Sequence, residues 1–233
     1  MDNIILLIET ATDSCSVALS KGTEIIAEKY INQPKAHAST LAIYIDDILK
    51  ENSLTIHDCA AVAVSKGPGS YTGLRVGVSC AKGLCYGANI PLIGIPTLDI
   101  LAQMGLEHKK SENCVIVPML DARRMEVYCS SYDAMGERIS DVKAEILDEN
   151  SFSGLFSRYD QIIFIGDGAE KFRTCLDEEK LSKSTIIGCR PDARYMAPST
   201  IKAYNKKEFK DVAYFEPFYL KDFVAGVSKK SLI

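Results

Sequence analysis

Three short stretches concentrate residues able to do chemistry. The first is Glu9-Thr10-Ala11-Thr12-Asp13-Ser14, between two apolar runs. A hairpin turn rich in hydroxyls aims side-chain O–H and backbone N–H groups at a phosphate, and the carboxylates of Glu9 or Asp13 beside it suit Mg²⁺. The plainer alternative is a solvated turn in which Thr12 and Asp13 satisfy the backbone. The second stretch runs from Ser65 to Gly77 and contains Gly67-Pro68-Gly69-Ser70-Tyr71-Thr72-Gly73-Leu74-Arg75. It lacks the Gly-Lys-Ser/Thr of a phosphate-binding P-loop. Its G-x-G-x-x-x-G spacing is one residue longer than a dinucleotide fingerprint. A helix opening there still offers free N–H groups to an anion. The third stretch is Asp121-Ala122-Arg123-Arg124-Met125-Glu126-Val127-Tyr128. A carboxylate with two guanidiniums at a strand end suits an anionic group. As a surface ion pair it would contribute little.

Metal and nucleophile chemistry find less support. A His pair at i and i+4 would ligate a metal, but four residues after His37 stands Leu41. His57 and His108 fall in loops, and no Ser–His–Asp arrangement is evident. None of the eight cysteines forms a C-x-x-C pair, so they read as small buried hydrophobes of a reduced, cytoplasmic protein. The spacing of Gly69, Gly73, Gly77 and Ala81 is more telling. On a helix, the last three form one smooth ridge, and each Gly costs about 1 kcal/mol relative to Ala. Close approach of another helix offsets that cost, whether from the same lobe or from a partner. In the partner reading, Leu74, Val78 and Leu84 flank an exposed face, and Gly77→Leu blocks association without disturbing the fold.

The elements that hold these stretches follow from hydrophobic period. Residues 3–9 are a near-continuous apolar run, as in a strand buried on both faces. Strands follow at 14–20 and 23–31 around the hairpin Lys21-Gly22. A helix capped by Ser39 or Thr40 carries Leu41, Ile45, Ile48 and Leu49 on one face. A strand at 59–65, a helix at 71–87, a strand near 92–95 and a helix near 97–105 complete a first unit. After the polar Glu107 to Asn113, strands are expected at 114–120, 125–132 and 139–147. A helix near 151–157 and a strand at 161–165, ending in Gly166-Asp167-Gly168, follow. The order three strands, helix, strand, helix thus occurs twice, which predicts two α/β lobes, residues 1–106 and 107–233, with the last segment packing back on the first.

Composition narrows the function classes. The 233-residue chain is 47% hydrophobic with a net charge of −4, so it does not grip nucleic acid by charge alone. Residues 201–233 carry seven lysines and four acids, leaving twenty cations against twenty-seven acids before them. Any RNA contact therefore falls to that last stretch or to a partner. No apolar run approaches the ~18–20 residues of a membrane helix, and no signal peptide is expected at the N-terminus.

With these residues in view, Ile8 to Leu19 resembles the first hairpin of the actin-like ATPase, sugar kinase and Hsp70 superfamily. Gly67 to Arg75 and Asp121 to Tyr128 resemble two signatures of the TsaB (YeaZ) family. Pro217-Phe218-Tyr219-Leu220-Lys221 resembles a third, which usually ends in Arg. The resemblance implies two ribonuclease H-like lobes, each a mixed five-stranded sheet flanked by helices. It implies a non-catalytic subunit that pairs with TsaD, joined by the ATPase TsaE, to place threonylcarbamoyl on adenosine 37 of tRNAs reading codons that start with A. tRNA is then met through the complex, and the lone chain forms a homodimer. Leu41, Ile45, Gly69, Tyr71, Gly73, Leu74, Arg75, Gly77 and Ala81 become the expected partner surface. Asp121, Arg123 and Glu126 become cleft or structural residues. Glu9, Thr10, Thr12 and Asp13 become a vestigial phosphate loop, because Ala11 and Ala122 stand where superfamily kinases carry Gly. No metal or cofactor is expected for the isolated chain, with ATP or ADP entering only in the complex. The competing readings are a small-molecule kinase or ATPase of the same fold and a metallopeptidase-like protein.

Overall fold

The computed structural model describes residues 3–33 and 37–221. Its centre is the strand β1 (Ile4–Glu9), in which Ile5, Leu6, Leu7 and Ile8 have no exposed surface. Alternation sends Leu6 and Ile8 into one core and Ile5 and Leu7 into another, so the run is apolar throughout. β1 pairs antiparallel with β2 (Ser14–Lys21), which pairs with β3 (Glu24–Asn32). On its other edge β1 pairs parallel with β4 (Ala61–Gly67), and β4 with β5 (Leu92–Pro96). The helices α1 (His37–Glu51) and α2 (Tyr71–Ala88) close one face of this sheet. α3 (Thr97–Leu106) leads toward the second sheet, where its Leu98 and Leu101 share a core with Ile116 and Ile163.

The second sheet is built from β6 (Cys114–Asp121), β7 (Glu126–Cys129), β8 (Lys143–Ile146), β9 (Gln161–Ile165) and β10 (Ser184–Ile187). Its order, β8-β7-β6-β9-β10, repeats the β3-β2-β1-β4-β5 order of the first. The duplication read from the element order is therefore present in the strand connections: two mixed five-stranded sheets flanked by helices. The short helices α4 (Ser153–Phe156), α5 (Ala169–Arg173) and α6 (Glu178–Ser182) belong to this half. A 3₁₀ turn (Ala193–Met196) and α7 (Ala197–Asn205) then return to the first sheet, where Ala193, Met196 and Ala203 pack against Ile5, Leu7 and Ile93. Among the described residues no helix is long and apolar enough to cross a membrane.

Several boundaries differ from the sequence reading. α1 begins at His37, so Ser39 and Thr40 lie in its first turn and not at its cap. The strands expected at 125–132 and 139–147 shrink to four residues each, because Tyr132 leaves the ladder to bridge Ile116 and Arg138. β10, four half-buried residues after a polar helix, carries too little apolar pattern to be read from sequence. The cysteines Cys15, Cys59, Cys85, Cys114 and Cys129 are buried thiols, and burial pushes Cys15 and Cys85 up to about 12.

Candidate functional site

The turn 10–13 after β1 and the turn 122–125 after β6 occupy equivalent places in the two sheets. They face each other across a cleft of about 700 Å³. Ala11, Thr12 and Asp13 line one wall with Pro68, Gly69, Ser70, Tyr71 and Thr72. Asp121, Ala122, Arg123 and Glu126 line the other, with Asp167 and Arg190, and Tyr219 to Lys221 close one side.

Of the proposed phosphate loop, only Thr12 and Asp13 reach this cleft. Glu9 is fully buried and does not line it. Its Oε1 accepts from the Ala11 N–H, its Oε2 is unpartnered, and burial pushes the carboxyl up to about 8. Thr10 is also fully buried; its N–H donates to Ser65 Oγ (3.3 Å) and its hydroxyl donates to the Gly73 carbonyl (2.8 Å). Two N–H groups of the turn are therefore consumed inside the lobe. Asp13 stands 3.8 Å from Arg190.

The Gly ridge is occupied from within, which corrects the partner reading for most of its members. A Cβ on Gly73 would lie 2.1 Å from the Thr10 carbonyl oxygen, and one on Gly77 would lie 2.2 Å from Thr10 Oγ1. One on Gly69 would lie 2.4 Å from the Ala11 oxygen, which accepts from Ser70 N at 2.6 Å. Glycine is required because α2 runs directly over the first turn. Leu41, Ile45, Leu74, Val78 and Ala81 are likewise core residues. Of the nine residues expected at the surface, Tyr71 and Arg75 keep outward side chains. The Arg75 guanidinium donates to Tyr71 Oη (2.5 Å) and lies 4.8 Å from the Tyr71 ring centre. Tyr71 in turn packs on Tyr219 at 5.0 Å. The chain end is tied down further by Phe218 N to the Lys66 carbonyl (2.6 Å) and by Lys82 Nζ to the Phe215 carbonyl (3.0 Å).

Across the cleft, Asp121 accepts from the Arg123 N–H and from Lys171 Nζ, both at 2.5 Å. The Asp121 N–H donates to Asp167 Oδ1 at 2.9 Å, and burial pushes the Asp167 carboxyl up. Arg123 and Arg124 both take left-handed backbone, so Arg124 belongs to the turn and not to the strand face of Glu126 and Tyr128. Glu126 binds Lys221 with both oxygens at 2.6 Å, which gives the third signature its contact. The charged residues lining the cleft are Asp13, Asp121, Glu126 and Asp167 against Arg123, Arg190 and Lys221. The cleft therefore offers a phosphate no surplus of positive charge.

His37 backs the first turn from outside. Its Nε2 lies 2.7 Å from the Thr12 carbonyl and 3.0 Å from that of Ser14, and because carbonyls only accept, this nitrogen carries the proton. The sequence reading passed over Asp167 and Arg190. Asp167 had a signal in Gly166-Asp167-Gly168 at a strand end, whereas Arg190 lies on a connection with no pattern. It also passed over a second small-residue spacing on α2, Ser79, Gly83 and Gly87. Here a Cβ at Gly83 or Gly87 would meet nothing within 4 Å.

The family model described as TsaD: tRNA N6-adenosine threonylcarbamoyltransferase matches residues 24–228. The tRNA threonylcarbamoyladenosine biosynthesis protein TsaB of Haemophilus influenzae is 33% identical over 235 residues, covering 95% of each chain. The chain belongs to the TsaB family. The Escherichia coli TsaB is 32% identical over 230 residues, covering 95% of this chain and 96% of its own. Among solved structures, YeaZ from Pseudomonas aeruginosa superposes with a TM-score of 0.78 at 23% identity, covering 94% of this chain and all of that one. The TsaB fold extends to more distant architectures: component A of an Acidaminococcus fermentans (R)-2-hydroxyglutaryl-CoA dehydratase shares it at a TM-score of 0.52 and 11% identity.

Proposed function

We propose that this chain is a non-catalytic, cytoplasmic subunit of the machinery that forms threonylcarbamoyladenosine in tRNA, pairing with a TsaD-type catalytic paralogue that TsaE joins. The observation that carries the reading is the place where a metal-binding His pair would sit. His37 Nε2 is held by two backbone carbonyls, and four residues on, Leu41 is 2% exposed within the core. The chemistry then belongs to the paralogue, and this chain supplies a surface. The outer face of α1 and α2 suits that role. Ile43 and Tyr86 are exposed large hydrophobics, Gly83 and Gly87 leave room for a facing helix, and a largely apolar groove of about 370 Å³ runs between Ala42, Ile45, Leu49, Cys80 and Leu84. The same face accounts for a homodimer when the partner is absent.

Co-expression with the paralogue of the same organism, scored by affinity and by tRNA modification, tests this. Ile43→Asp with Gly83→Trp is expected to weaken pairing by at least about 30-fold, the size of a central interface loss of 2 kcal/mol. Modification should fall with it while the lone chain melts normally. Unchanged pairing would move the interface elsewhere, and full modification without this chain would remove its role.

We also propose that nucleotide enters only in the complex. The occupied N–H groups of Thr10 and Ala11, the docking of Gly69 on Ala11 and the charge of the cleft support this. Calorimetry on the lone chain is expected to show no tight ATP binding, and a sub-micromolar affinity would revive the kinase reading.

A further inference from the structure

A second cavity, of about 550 Å³, shares no lining residue with the cleft. Five cations line it: Lys66 at the end of β4, Arg138, and Lys202, Lys206 and Lys210 from α7 and the segment after it. Its carboxylates are largely engaged. Asp99 accepts from the Tyr132 hydroxyl at 2.6 Å, and burial raises its carboxyl. Glu137 is bound to Lys202 at 2.6 Å, and Glu208 lies 3.9 Å from Lys206. Lys66, Arg138 and Lys210 form no ion pair with a carboxylate among the described residues. All three line the one pocket, and burial first, then the charge of Lys210 and more weakly that of Arg138, lower the Lys66 ammonium, with Asp99 and Glu208 opposing. Five cations against three carboxylates leave this concave site an excess of positive charge, which an entering anion relieves.

We infer that this pocket, with Lys207 beside it, holds the phosphate backbone of RNA. The inference rests on the reading that the chain works on tRNA. A polymer is favoured over a free anion because the cations are strung along one stretch of chain that reaches Lys207, just outside the pocket lining. Residues 201–210 carry Lys202, Lys206, Lys207 and Lys210 against the single acid Glu208, in a chain whose net charge is −4. A small anion meets only some of these charges at once, whereas successive phosphates of a backbone meet them in turn. The contact positions RNA and reads no sequence, since it is made to phosphates.

The test uses the lone full-length chain and fluorescently labelled tRNA at low salt, so it does not depend on pairing with the paralogue, whose failure would show separately in co-purification. Arg138→Ala with Lys210→Ala is expected to weaken binding about tenfold. It should also make the plot of log affinity against log salt shallower by about two, one for each phosphate no longer neutralised. Lys143→Ala on β8 with Arg173→Ala on α5 should bind as the unchanged chain does. The inference is overturned if the unchanged chain binds no tRNA, or if the pocket variant binds it equally well. Variant-sensitive binding of inorganic tripolyphosphate, with tRNA binding unaffected, would make this a small-anion site and overturn the RNA assignment.

Discussion

Gly77→Leu is expected to lower the melting temperature by about 10 °C, equivalent to roughly 3 kcal/mol for a chain of this size. The effect comes from the fold, not from an interface. A Cβ at Gly77 would lie 2.2 Å from Thr10 Oγ1, and Thr10 is fully buried with its hydroxyl bonded to the Gly73 carbonyl at 2.8 Å. A β-branched side chain fixed in this way has little room to rotate. The mechanism makes a sharper claim about Ala. Gly77→Ala should destabilise, and Thr10→Ala should partly restore it by removing the clashing oxygen, a coupling of about 0.5–3 kcal/mol in a double-mutant cycle. Gly73→Ala should show no such rescue, because its Cβ meets the Thr10 backbone oxygen, which every residue carries. Gly83→Ala on the open face should gain about 1 kcal/mol from helix propensity alone. Thermal melts of these variants decide the matter. If Gly77→Leu melts with the unchanged chain, α2 does not rest on the first turn and the ridge returns to the partner surface.

That pair of ridges shows what the sequence could and could not disclose. Periodicity exposed both the helix and its small-residue spacing, because four-residue recurrence is a local property. It could not say which face of α2 meets the sheet, since Gly73, Gly77 and Ala81 on one side and Ser79, Gly83 and Gly87 on the other share that spacing. The deciding contact, Thr10 to Gly73 at a separation of 63 residues, is tertiary. The duplicated order of elements was legible because β1, β4, β6 and β9 are each largely apolar runs, whereas the strand order within each sheet is set by tertiary pairing. β10 and α5 to α7 were not, being short and polar. In the cleft, Asp121, Arg123 and Glu126 stood out as a charged cluster after a strand. Arg190 did not, because only the approach of the two halves brings it to Asp13. The phosphate-loop reading of Glu9 failed for a further reason: a carboxylate at the end of a strand looks the same in sequence whether it turns outward or in.

Glu9→Gln is expected to flatten the pH dependence of stability and to raise the melting temperature at pH 8. The Glu9 carboxyl sits without solvent contact, with one oxygen unpartnered, and its affinity for a proton rises from an ordinary value of 4.5 to about 8, chiefly through burial. Between those values the folded chain keeps a proton that the unfolded chain has released. The folded state then binds more protons, so stability falls as pH rises through this window and levels off above about 8, by up to about 1.4 kcal/mol per pH unit. This is opposite in sign to a salt-bridged carboxylate, which loses stability as pH falls. The Gln amide keeps an oxygen for the Ala11 N–H and has no charge to develop, so its gain over Glu should be under about 1 kcal/mol at pH 5 and on the order of 2 kcal/mol or more at pH 8. The functional consequence follows from the same burial. A carboxyl that stays protonated at neutral pH and is turned away from the cleft cannot hold Mg²⁺ there, so tRNA modification by the assembled complex should survive the substitution. Melting curves from pH 5 to pH 8 that run parallel for the two proteins would mean that Glu9 is charged and solvated. It would then return to the phosphate-loop role that its position after β1 first suggested.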